Sequence, residues 1–68
     1  MSLDVNEVRS RILAAMSEKG MSRRMLSERA GLGESAVRDL LTRTENPGVA
    51  TLARICEALD LSLADLLS

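Results

Sequence analysis

At 68 residues the chain is about half the length of a typical domain, so a single domain spanning residues 1–68 is expected, with one core and one small working surface. One cysteine and no histidine exclude an internal disulfide and a Cys/His zinc site, and no metal or cofactor is expected. Nine basic and ten acidic side chains leave a net charge of −1, which points to no particular class of partner.

Helix packing is what remains to stabilise so short a chain. Apolar residues make up 46% of it and none is aromatic; 12 Leu and 8 Ala stand against 4 Val and 2 Ile. Straight-chain residues and Ala lose little rotamer freedom in a helix, whereas strands favour β-branched and aromatic residues, so an all-α fold is expected. The same composition argues against an enzyme, because Cys56 has no histidine to act as its base. It also removes the aromatic platforms on which single-stranded nucleic acids stack. No apolar run is long enough to span a bilayer and no charged-then-apolar leader is seen, so no membrane association is expected and a cytoplasmic location is.

Caps and periodicity predict five helices in chain order. The first runs from about Asp4 to Lys19, opened by a capping box of Asp4 and Glu7, with Val5, Val8, Ile12, Ala15 and Met16 on one face; Gly20 ends it. The second spans roughly Ser22 to Ala30 and stops at Gly31; the third, capped by Gly33, covers about Glu34 to Leu41. A polar loop from Thr42 to Asn46 leads into Asn46-Pro47, a strong local breaker. The fourth helix, from about Val49 to Leu59, carries Leu52, Ile55, Cys56 and Leu59 at i, i+3, i+4, i+7 spacing, and Ser62 with Asp65 opens a fifth from Leu63 to Leu67. Four of these starts are flanked by apolar pairs, Leu3/Val8, Met21/Leu26, Leu32/Val37 and Leu61/Leu66, which act as staples. Cys56, inside an apolar helix face, is expected to be a small buried hydrophobe.

Residues 23–42 are the informative stretch. Two helices crossing at a wide angle over a three-residue turn need a small side chain where they meet, which Ser27 supplies, and a residue that tolerates positive φ, which Gly31 supplies. Leu26, Ala30, Leu32, Val37 and Leu40 form the seam. Charge is distributed to match. Residues 19–45 carry Lys19, Arg23, Arg24, Arg29, Arg38 and Arg43 against Glu28, Glu34, Asp39 and Glu45, a surplus of two, whereas the flanking segments are net acidic.

From Ser22 to Leu67 the chain resembles the Cro/C1-type helix-turn-helix family of phage repressors and bacterial regulators. The match lies in Leu26-Ser27 with Gly31 and Val37, then Asn46-Pro47, then Thr51-Leu52 through Ala58-Leu59-Asp60-Leu61-Ser62 and Leu66-Leu67. The resemblance implies a five-helix bundle whose third helix enters the major groove, and a repressor-like, sequence-specific regulator with double-stranded DNA as its partner. It places Glu34, Ser35, Arg38 and Asp39 at base-reading positions, and Arg23, Thr42 and Arg43 at phosphate-binding ones. Departures are plain: Gly33 offers no side chain to a base, Glu34 and Asp39 are acids, and Asp60 stands where the family usually has Gly. Arg38 has two options, a base contact or an i, i+4 pair with Glu34.

The apolar surplus of Leu61, Leu63, Leu66 and Leu67 predicts a weak homodimer through the fourth and fifth helices, with Leu63 or Leu67 at its centre. The alternative is a protein-interaction or antitoxin-like module that keeps the fold with little DNA affinity, which the net charge of −1 favours.

Overall fold

The structure, a computed structural model, describes residues 4–43 and 47–67. Five helices follow in order: α1 Val5–Lys19, α2 Arg23–Ala30, α3 Glu34–Thr42, α4 Val49–Leu59 and α5 Leu63–Leu67. Each expected helix forms, and α3 runs one residue further, taking Thr42 out of the expected loop. The Leu3 half of the first staple and Asn46 of the breaker lie outside the described residues, as does the rest of the loop over 44–46.

Three of the four connections repeat one local device. Gly20, Gly31 and Asp60 take left-handed φ of 61°, 70° and 57°, and each is followed by an apolar residue and then a helix N-cap: Gly20-Met21-Ser22, Gly31-Leu32-Gly33, Asp60-Leu61-Ser62. The apolar residue donates its N–H five positions back, Met21 to Met16 O at 2.8 Å, Leu32 to Ser27 O at 2.9 Å and Leu61 to Cys56 O at 2.8 Å. These bonds close the carbonyls that a helix end leaves without donors. The same residue then plugs the core from outside the next helix, so one residue both stops a helix and starts another.

The caps differ in detail from the expected boxes. Asp4 Oδ1 accepts from the N–H of Asn6 at 3.1 Å and of Glu7 at 3.3 Å, while the Glu7 carboxylate engages Arg11 one turn on at 3.1 Å. Glu7 therefore spends its charge along the helix and does not return it to the cap. Ser22 and Ser62 accept from Met25 N and Asp65 N at 3.1 and 3.0 Å.

The core joins all five helices. Ile12, Leu26, Val37, Ile55 and Leu59 have no exposed surface, and Leu40, Leu52, Cys56 and Leu66 are almost as deeply buried. Val5, expected on the inward face of α1, is only half-buried. α2 packs against both α3 and α4, and α1 against α4 and α5. Burial pushes the Cys56 thiol above its ordinary pKa by desolvating the thiolate. Among the described residues no helix is long and apolar enough to cross a membrane.

Candidate nucleic-acid interface

The α2–α3 pair is built as its sequence requires. Ser27 is 3% exposed, and its hydroxyl donates to Arg23 O at 2.8 Å, so the small side chain lets α3 approach without leaving an unpaired polar atom. Gly31 meets the turn's demand for φ of +70°, and a Cβ there would stand 3.3 Å from Arg54 Nη1.

α3 turns Val37 and Leu40 inward. Helical geometry then sends Glu34, Ser35 and Arg38 outward, all exposed, with Asp39 half-buried beside them. Glu34 and Ser35 have no side-chain partner among the described residues, so the first turn of α3 presents polar groups that a ligand can engage. Arg23, exposed at the first position of α2, is likewise unpaired among the described residues. Its neighbour Arg24 is held by Glu28 at 3.4 Å.

The second half of α3 is internally satisfied. Arg38 does not take the pair with Glu34; its Nε lies 4.0 Å from Asp39 Oδ1. The same carboxylate oxygen binds Arg43 Nε at 3.2 Å. Thr42 Oγ1 donates to Arg38 O at 2.7 Å. A hydroxyl has one proton and a phosphate oxygen only accepts, so Thr42 can bind phosphate only by giving up that bond. The four charged groups of this region, Glu34, Arg38, Asp39 and Arg43, cancel. Exposed pairs of this kind are worth little in energy, but they set where the cations point before a ligand arrives.

Two arginines that tie helices together, one of them at the site, carry no signal of that role in the sequence. Arg9 Nε donates to Leu40 O at 2.9 Å, tying α1 to the last turn of α3. Arg11 Nη1 donates to Leu66 O at 2.9 Å while Nη2 holds Glu7, tying α1 to the end of α5. Each places a cation at the negative end of another helix. The Glu7 and Arg11 side chains stand at i, i+4 spacing in the sequence, but the carbonyls that Arg9 and Arg11 reach are set by the tertiary fold.

The expected dimer residues part company. Leu61 and Leu63 pack against the core and Leu66 is buried, so of this group only Leu67, 41% exposed, stays largely open. Leu63 is thus partly a core residue.

A bundle whose third helix presents its polar face across a Ser27/Gly31 turn is a helix-turn-helix of the DNA-binding type. The profile of the Cro/C1-type HTH DNA-binding domain matches residues 11–68, and the chain belongs to that family. Among solved structures it is similar to the N-terminal DNA-binding domain of SinR from Bacillus subtilis, with 30% identity and a TM-score of 0.84 over 93% of this chain and 93% of that one. SinR, a master regulator for biofilm formation, is also known in complex with DNA; that structure shares 31% identity and a TM-score of 0.81 over 90% of this chain and 98% of that one. The restriction-modification controller protein C.AhdI from Aeromonas hydrophila, at 24% identity and a TM-score of 0.83 over 93% and 96% of the two chains, shares the fold. No curated protein matches the chain.

Proposed function

We propose that the chain is a sequence-specific regulator of transcription that binds double-stranded DNA, repressor-like in action and cytoplasmic, with α3 in the major groove. The observation that carries this is the first turn of α3, where Glu34 and Ser35 stand exposed and unpartnered among the described residues, with Arg23 exposed at the first position of α2. Family membership and the DNA complex of the similar SinR support it. Arg23 takes a phosphate directly as a charged fork. Glu34, Ser35, Arg38 and Asp39 face base edges; the acids accept from the amino groups of cytosine or adenine and reject bases that offer only acceptors. Thr42 and Arg43 reach phosphates after leaving their internal partners.

So few phosphate contacts give one copy modest affinity, and pairing two half-sites overcomes this. A weak homodimer through α4 and α5, with Leu67 at its surface, does so. The test is selection of bound duplexes from a random pool. The expected result is a two-fold site with half-sites separated by about one helical turn, roughly 34 Å. No enrichment, together with no rise in melting temperature when nonspecific duplex is added at low salt, refutes it. That outcome selects a protein-interaction module, the reading favoured by the net charge of −1 and by the internal pairing of Arg43.

A further inference from the structure

The geometry points to Asp39 as a specificity-determining residue that makes the Arg43 phosphate contact conditional on the base pair beneath it. This rests on the DNA-binding reading above and goes beyond it by linking two contacts that would otherwise be independent. The Asp39 carboxylate is 34% exposed and lies between two guanidinium groups, 3.2 Å from Arg43 Nε and 4.0 Å from Arg38 Nε. An ionised carboxylate only accepts hydrogen bonds. Pressed against a duplex, it meets phosphate oxygens and base acceptors that repel it, and the major groove offers it donors only at cytosine N4 and adenine N6.

Two bound arrangements follow. Each base pair carries one such amino group, on adenine or on cytosine, so the strand that bears it is what differs; where it lies on the strand that Asp39 does not reach, releasing Arg43 would strand the carboxylate, so Arg43 stays on Asp39 and makes no phosphate contact. Where it lies on the strand that Asp39 reaches, the amino group replaces Arg43 as the partner of Asp39, and Arg43, whose side chain is 77% exposed, swings to the backbone. A correct base is therefore rewarded by its own hydrogen bond and by one released cation. Nonspecific duplex is denied that cation.

Salt dependence tests this, because each phosphate neutralised steepens the slope of log affinity against log salt by about 0.9. Four proteins are titrated with a nonspecific duplex: the wild type, Asp39→Asn, Arg43→Ala and the double variant. Asp39→Asn keeps the shape and removes the charge that holds Arg43. Its slope is expected to be steeper than wild type by about 0.9, which is about a 3.5-fold larger loss of affinity over a fourfold rise in salt. In the double variant the increase produced by Asp39→Asn is expected to be absent, because the cation that the carboxylate had held is gone. Asp39→Ala, which favours the helix, serves as a second variant and is expected to behave alike. The inference is overturned if Arg43→Ala lowers the slope equally with and without Asp39, or if Asp39→Asn steepens it equally without Arg43. Absence of salt-dependent duplex binding in all of these proteins overturns the DNA-binding reading itself, and the inference with it.

Discussion

Replacing Arg9 tests whether α1 holds the reading helix in place. The Leu40 carbonyl is one of the last four of α3, which a helix leaves without donors of its own, and Arg9 Nε supplies one at 2.9 Å in a part-buried setting. A hydrogen bond from a charged donor contributes about 1.5–3 kcal/mol when well shielded. Arg9 is only half-buried, which lowers that to about 1–2 kcal/mol after solvent screening. Arg9→Met keeps the aliphatic stem and deletes the guanidinium, so it spares the packing while removing this bond together with the longer, exposed one from Arg9 Nη1 to Asn6 Oδ1 at 3.4 Å. At ~4–8 °C per kcal/mol for a domain of this size, the melting temperature should fall by roughly 5–15 °C in far-UV circular dichroism. Amide exchange in the last turn of α3 should accelerate more than in α4, because the lost tether acts there first. An Arg9→Met melt within about 2 °C of wild type, with unchanged exchange in α3, would refute the reasoning.

Leu52 is 1% exposed in the α4 face that meets α2, and Leu52→Ala should cost ~2–5 kcal/mol, close to the ~3–5 kcal/mol a core of this size supplies; a cooperative urea melt near wild type would contradict the packing of α4. The left-handed connectors should respond with opposite signs: Gly31→Ala, at φ +70°, should lose about 1–2 kcal/mol, whereas Asp60→Gly, at φ 57°, should not lower the melting temperature. Arg23→Ala should weaken binding to every duplex alike and make the salt slope shallower by about one, while Arg38→Ala should relax preference at one base position by ~1–3 kcal/mol; equal, sequence-independent losses from both would show that α3 reads no bases. Leu67→Glu should leave the melt intact and abolish binding to a duplex with two half-sites; the same exchange at Leu63 would also disturb the core, since Leu63 packs on it.

What could be read along the chain is what depends on neighbours. The trios Gly20-Met21-Ser22, Gly31-Leu32-Gly33 and Asp60-Leu61-Ser62 state a left-handed residue, an apolar plug and an N-cap in consecutive letters, and helix ends are made of bonds that span only a few residues. The inward faces of α1, α3 and α4 were legible for the same reason, since a 3.6-residue period repeats within each helix. The positions of Arg23, Glu34, Ser35, Arg38, Asp39, Thr42 and Arg43 followed from family resemblance, but their partners did not. Glu34 and Asp39 each stand four residues before an arginine, so spacing allows both pairs, and only the folded arrangement shows that Asp39 is the carboxylate used. The roles of Arg9 and Arg11 were invisible, because their carbonyl partners lie 31 and 55 residues away and any exposed arginine reads as a solvated charge. Leu63 and Leu67 were indistinguishable as letters in a helix of five residues, too short to display a period. Which of them faces the core is settled by how α5 lies against α1 and α4, a matter of three-dimensional packing that no local pattern encodes.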